Sequence, residues 1–121
     1  MKEPTLEDKI GLELLGSDIW QKIGRGKIPE ICFKLGGHSG CYYPNQHKVA
    51  IRWNVWNKLL KAEKRLLMIH ELWHARTEEK ETRRFGIHGL DLISIEVYKK
   101  IYGEDKEWQE LQEKIQTLIF V

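Results

Sequence analysis

The sequence predicts a small α+β domain in which a sheet of two or three strands packs on a central helix, with further helices around it. Three observations predict this class. Apolar residues recur at helical spacing near both ends of the chain, the segments between are rich in Ile, Val, Phe and Trp, and glycine-rich turns separate those segments. With 121 residues, the chain has the size of one domain. We therefore predict a single domain over residues 1–121, with a core over about 30–103, an N-terminal helix over 5–22, and a C-terminal helix and tail over 105–121.

The first helix is predicted from its capping residues and its periodicity. Thr5 followed by Asp8 matches a capping box, which marks a helix N-terminus. Apolar residues then recur at helical spacing, at Leu6, Ile10, Leu14, Leu15 and Ile19. This pattern predicts an amphipathic helix over 5–22 that ends before the run Gly24-Arg25-Gly26.

Two strands are predicted in the next third of the chain, over Glu30 to Leu35 and Lys48 to Trp53. In the second of them Val49, Ile51 and Trp53 alternate with less apolar residues, as expected for a strand with one buried face. The glycine-rich stretch from Gly36 to Gly40 supplies the turn between the strands. Cys41 to Tyr43 is predicted as a short third strand.

Three further helices are predicted after residue 61. Apolar residues and histidines recur at spacings of three and four over 62–77, which predicts a helix with a mixed face. The charged run 78–84 is predicted as a solvated face. His88 lies between Gly86 and Gly89, where the chain turns before a helix that ends at Gly103. A last helix is predicted over about 105–118, followed by the apolar tail 119–121.

Composition excludes several classes of protein. Twenty basic and 18 acidic residues leave a formal charge of +2, too small to predict strong nonspecific attraction to nucleic acid or to an anionic membrane. Basic residues are interspersed with acids, so the pattern favours solvated faces over a nucleic-acid site. No run of about 18 apolar residues occurs, and the charged N-terminus is unlike a secretion signal. We predict a soluble, cytoplasmic protein with no membrane partner.

The two cysteines, Cys32 and Cys41, are too few for a disulfide framework or a four-cysteine zinc site. Three interpretations stay open at this point. The two thiols pair as a disulfide, Cys41 approaches a metal as a latency ligand, or both are ordinary small buried residues, which is the commoner case.

One segment carries chemistry. His70-Glu71-Leu72-Trp73-His74 fits the pattern H-E-x-x-H and lies inside the helix predicted over 62–77. Histidines four apart on a helix share one face, so His70 and His74 can ligate the same cation. Glu71 is offset by about 100° from His70 and does not ligate, but it can take a proton from a metal-held water. The pattern predicts a Zn²⁺ site with Glu71 as general base.

A catalytic zinc ion needs a third protein ligand. We favour His88, because the turn around it can direct its side chain back towards the first two ligands. The rival is Glu96, which lies in the middle of the following helix. His38 and His47 lie in the region that connects the strands and are predicted as solvated turn histidines.

These residues resemble the core of SprT-like zinc metalloproteases and of the small phage-type metallopeptidases related to them. The likeness consists of His70-Glu71-Leu72-Trp73-His74-Ala75, a charged insert and His88-Gly89 opening a helix, preceded by a glycine-rich turn and strand. It covers about residues 30–103. The resemblance implies a zincin-like fold, His70, His74 and His88 as zinc ligands, and Glu71 as general base. No cysteine follows Cys41, so the C-terminal zinc ribbon of many SprT proteins is missing from this sequence.

A second resemblance is to the minigluzincins, small stand-alone zincins of about this size. In that group the third ligand is a glutamate, which points to Glu96, and the C-terminal segment can block the cleft, a role that would fall here to the tail from Leu118 to Val121. The sequence thus predicts a zinc-dependent metallopeptidase acting on peptide or unfolded protein. The alternative is a latent or non-catalytic zinc-containing binding protein on the same scaffold, with nucleic acid as a weakly supported partner.

Overall fold

Helices and strands follow one another in the predicted order. The structure, a computed structural model, describes residues 3–77 and 92–120, and the α+β class is confirmed. Its elements are α1 (Leu6–Ile23), β1 (Glu30–Lys34), β2 (Gly40–Tyr43), β3 (Lys48–Arg52), α2 (Trp53–Trp56), α3 (Lys61–Thr77), α4 (Leu92–Tyr102) and α5 (Lys106–Phe120). The third strand, predicted from Cys41 to Tyr43, is present as β2.

The N-terminus of α1 is fixed by the predicted capping box. The Asp8 backbone N–H donates to Thr5 Oγ1 (3.1 Å), and the Thr5 backbone N–H donates to Asp8 Oδ2 (2.8 Å). The helix buries Gly16 against the sheet, and a Cβ at that position would overlap Ile31 Cδ1. Glycine at this position therefore lets α1 approach β1 closely.

The sheet is mixed and has β3 at its centre. The strand order is β1-β3-β2, with β1 parallel and β2 antiparallel to β3. Cys32 and Cys41 lie on opposite sides of β3, and both are in register with Ala50. Two strand spacings separate their Cα atoms by about 9.6 Å, beyond the reach of a disulfide. Both thiols are free and half-buried, and burial raises the pKa of the Cys32 thiol.

The strand predicted from Lys48 to Trp53 ends one residue earlier than expected, at Arg52. Trp53 was expected to continue the strand, but it begins the short helix α2. Trp53 and Trp56, three residues apart, thereby lie on one side of a helical turn. Both are buried, and Phe33 contacts them edge-on with ring centroids 5.1 Å and 6.2 Å away. Contacts within this aromatic cluster stabilise the helical turn. The alternation of apolar residues along the strand does not indicate these contacts.

α3 is the central element of the core. It packs against α1, β2, β3, α4 and α5, so almost its whole length from Ala62 to Leu72 is buried except for Lys64 and Arg65. Four of the five tryptophans are buried, with Trp73 the partly exposed one. In the part of the chain that the structure describes, no helix combines the length and apolarity needed to cross a bilayer.

A polar network ties α3 to the two C-terminal helices. Arg65 Nη1 donates to Asp105 Oδ2 (2.8 Å) and to the Tyr98 hydroxyl (3.1 Å), and that hydroxyl donates to Asp105 Oδ1 (3.1 Å). The same carboxylate caps α5 by accepting the Trp108 backbone N–H (2.9 Å). Burial opposes ionisation of Asp105, but the hydrogen bonds from Trp108, Arg65 and Tyr98 outweigh it and hold the pKa below its usual 3.8. Burial raises the pKa of Tyr98 to about 12, so its hydroxyl stays protonated.

This network predicts an acid-sensitive contribution to stability. A carboxyl whose pKa is lowered in the folded state stabilises the fold above its unfolded pKa, and that contribution is lost as the pH falls through the folded value. We expect Asp105→Ala to lower the free energy of unfolding at pH 7 by about 1–3 kcal/mol, through loss of the cap and of the bond to Arg65. The difference should shrink as the pH is lowered below 3.8.

Urea unfolding at pH 7 and pH 3 measures this effect. Asp105→Asn keeps a side chain that can cap the helix, so it measures the effect of the negative charge alone. Glu110→Ala, at an exposed position on α5, is the control. An equal loss of stability at both pH values would show that the Asp105 charge contributes nothing.

Candidate metal centre

The middle of α3 brings two histidines to one face of the helix. His70 is 7% exposed and His74 is half-buried. Because they are four residues apart, their imidazoles lie one turn from each other. The two Nε2 atoms are 3.3 Å apart, and the ring planes are nearly perpendicular, at 86°.

This spacing fits a single tetrahedral zinc ion. Two nitrogens, each about 2.0–2.1 Å from one zinc ion at a tetrahedral angle, lie about 3.3–3.4 Å from each other. The observed separation of His70 Nε2 and His74 Nε2 is 3.3 Å. The donor set and its spacing therefore suit Zn²⁺.

Glu71 completes the cluster from inside the protein. One of its carboxylate oxygens lies within 4.8 Å of the ligand nitrogens of His70 and His74, yet the side chain is only 2% exposed. A carboxylate beside two histidines that could ligate a metal, but on a different face of the helix, is placed to take a proton from a molecule bound there.

Gly40 of β2 makes room for that carboxylate. A Cβ added at Gly40 would lie 2.5 Å from Glu71 Oε2 and 2.8 Å from Cδ and Cγ. Gly40 was expected only as a turn residue, but it is the first residue of β2 and lies against Glu71. Its place in a glycine-rich stretch gives no separate signal of this close approach.

Of the two candidates for the third ligand, the structure describes only Glu96. His88 lies outside the described residues. Glu96 lies on α4, which packs on α3, but it is exposed. Ser94 and Tyr98 are the fully buried positions of α4, and Glu96 is about 200° around the helix from each of them. Glu96 is thus not part of the cluster formed by His70, Glu71 and His74.

His38 and His47 are not members of the cluster formed by His70, Glu71 and His74. His38 is exposed, in agreement with its prediction as a solvated residue. For His47 the predicted turn is confirmed, but the ring is not simply solvated, because both ring nitrogens are bonded, Nδ1 to the Tyr42 hydroxyl (2.9 Å) and Nε2 to the Lys27 carbonyl (2.6 Å). His47 adopts a left-handed conformation, with φ of 46°. It holds the turn before β3 and is only partly solvated.

Cys41 also lies away from the metal cluster. Side chains alternate between the faces of a strand, and the neighbours Gly40 and Tyr42 are the buried positions of β2, with Gly40 directly against Glu71. Cys41 therefore points to the other face of the sheet. The hypothesis that Cys41 acts as a latency ligand is wrong for this arrangement.

Comparison of the chain with protein-family models, with curated proteins and with solved structures gave no match.

Proposed function

We propose that this protein is a zinc-dependent metallopeptidase. The observation that carries the proposal is the 3.3 Å separation of His70 Nε2 and His74 Nε2, with a Glu71 carboxylate oxygen within 4.8 Å of them. Two imidazoles spaced for one ion and a carboxylate beside them form the donor set of an H-E-x-x-H hydrolytic site. His88 is the proposed third ligand, on the sequence argument alone.

Each residue of the cluster has a separate role in this proposal. His70 and His74 would hold the metal. Zinc bound there would supply Lewis-acid chemistry, lowering the pKa of a bound water towards 7 and polarising the scissile carbonyl. Glu71 takes the proton of the attacking water on a carboxylate oxygen and delivers it to the nitrogen of the leaving amine. Because Glu71 is almost fully buried, bulk water has little access to the carboxylate that makes these transfers.

The substrate is proposed to be an extended peptide or an unfolded protein. Gly40, the first residue of the edge strand β2, lies directly against Glu71. A peptide lying along β2 therefore passes close to the cluster. Among the described residues β2 is paired with β3 alone, which leaves its other edge for main-chain pairing. Strand pairing requires an extended backbone, which favours unfolded segments over folded proteins as substrates.

Zinc content tests the site independently of activity. We expect about one zinc per chain in the wild type by plasma mass spectrometry, since three protein ligands form a catalytic zinc site. His70→Ala and His88→Ala should each lose the metal, because two ligands hold zinc poorly. Glu96→Ala and the exposed-histidine control His38→Ala should keep it.

Two results would contradict this assignment. Loss of zinc in Glu96→Ala with retention in His88→Ala would move the protein to the minigluzincin type. Wild-type protein that takes up no zinc from a zinc-buffered solution would remove the basis of the proposal.

A further inference from the structure

The sheet has a second edge, on the side away from the metal cluster. In the order β1-β3-β2, β2 is the edge next to Glu71, and β1 is the opposite edge. Within 3–77 and 92–120, β1 pairs with β3 alone, and α1 packs beside it. The N-terminal half of α1 thus runs next to a strand edge that carries backbone hydrogen-bonding groups.

The backbone direction along β1 shows which groups face outwards. The Glu30 backbone N–H donates to the His47 carbonyl (3.0 Å), on the β3 side. In a parallel pair, both polar groups of one residue point to the same neighbour, and this direction alternates along the strand. The N–H and C=O groups of Ile31 and Phe33 are therefore directed to the open edge.

A cavity of about 420 Å³ lies at this edge. Its helix wall includes Lys9, Leu12 and Glu13, and its strand wall includes Ile31, Phe33 and Leu35. The volume falls in the range of about 300–1,000 Å³ that is usual for ligand-binding clefts. Leu35 is 62% exposed, so the apolar lining continues to the mouth of the cavity.

We propose that this cavity binds an extended peptide segment, which pairs with the open edge of β1 as a fourth strand. Outward-facing N–H and C=O groups are matched by an extended chain and not by a helix, whose backbone groups are already bonded. Alternate side chains of the added strand would lie on the same face of the sheet as Ile31 and Phe33 and enter the cavity towards Leu12. The segment therefore carries apolar residues at alternating positions.

Charge adds a further requirement. The cavity is bordered by two carboxylates, from Glu3 and Glu13, against the single ammonium group of Lys9. This excess of negative charge favours a segment with a basic side chain next to the apolar ones. The proposed ligand is thus an extended peptide with alternating apolar residues and at least one lysine or arginine. Its site requires neither a metal nor Glu71, so it stands independently of the proposed peptidase activity.

Hydrogen exchange on the full-length, metal-free chain tests the proposal. The probe is a set of overlapping 12-residue peptides that cover β-casein, an unstructured protein. We expect the peptides with apolar alternation and a basic residue to bind and to slow exchange of the Ile31 and Phe33 amides by about tenfold or more, whether or not the β2 amides are also protected. Absence of binding by every peptide, or binding that protects only β2, would overturn it. If the Ile31 and Phe33 amides became protected without peptide as the protein concentration was raised, the proposal would also be overturned, because a second copy of the chain would then occupy this edge.

Matched substitutions on α1 locate the binding. Glu13 and Glu7 are both exposed glutamates of this helix, but only Glu13 lines the cavity. Glu13→Trp should fill the cavity and weaken peptide binding about tenfold or more, whereas Glu7→Trp should leave it unchanged. Equal effects of the two would overturn the proposal. Replacing the Phe33 amide by an ester removes only the N–H and keeps the side chain, so it should weaken binding even if Glu13→Trp folds poorly.

Discussion

Replacing Glu71 by glutamine is expected to remove nearly all peptide hydrolysis while leaving zinc bound. Glutamine has almost the same shape as glutamate but cannot accept the proton of the attacking water, and general base catalysis contributes about 10²–10⁴-fold to the rate. Because Glu71 is not a ligand in the proposed site, the metal should stay on His70 and His74. Hydrolysis of fluorescently labelled casein, measured beside zinc content, checks both halves of this expectation.

Glu110→Gln is the control for this substitution, because Glu110 is an exposed residue of α5. It should have wild-type activity. Full activity in Glu71→Gln would contradict the mechanism, and loss of zinc would mean that Glu71 is a ligand. A zinc-loaded wild type that cleaves nothing, both as the full chain and when truncated before Leu118, would place the protein in the alternative class of zinc-containing binding proteins.

Gly40→Ala is expected to reduce both activity and stability. The added methyl group would lie 2.5 Å from Glu71 Oε2, and the buried carboxylate has little space into which it can move. Overpacking of this kind costs about 1–3 kcal/mol of stability, and a displacement of about 1 Å at a catalytic group costs about 10²-fold in rate. Urea unfolding and casein hydrolysis measure the two effects, and zinc content should stay at one per chain.

Gly36→Ala is the matched control, because no atom lies within 4 Å of a Cβ placed at Gly36. This variant should keep its activity. If Gly40→Ala were as active as Gly36→Ala, the close approach of β2 to Glu71 would have no part in positioning the carboxylate. A Gly40→Ala protein with lowered stability but unchanged kcat would likewise assign Gly40 a purely structural role.

The local features of this fold were predictable from the sequence. The Thr5 and Asp8 capping box fixes the start of α1 through bonds between residues three apart, and such short-range chemistry is visible in the sequence. The periodicity of α3 is local too, and it places His70 and His74 on one face. For that reason the placement of both histidines on one side of α3 could be predicted before any tertiary contact was known.

Features that depend on distant parts of the chain were not predictable. Gly40 and Glu71 are 31 positions apart, and only the packing of β2 on α3 brings them together. Glu96 fits a ligand by its place in the sequence, but packing of Ser94 and Tyr98 on the buried side of α4 turns it to the surface. Trp53 continues a strand pattern locally, and its contact with Phe33 favours a helical turn instead.

If zinc fills the proposed site, the burial of α3 predicts that folding precedes metal loading. Contacts with five other elements hold this helix, and they do so with hydrophobic residues that need no metal. The two histidines are consequently preorganised on a folded scaffold, unlike the ligands of small zinc domains that are unfolded without their ion. In such a protein the binding energy of the metal is not consumed by folding, and the ion can be exchanged while the chain stays native.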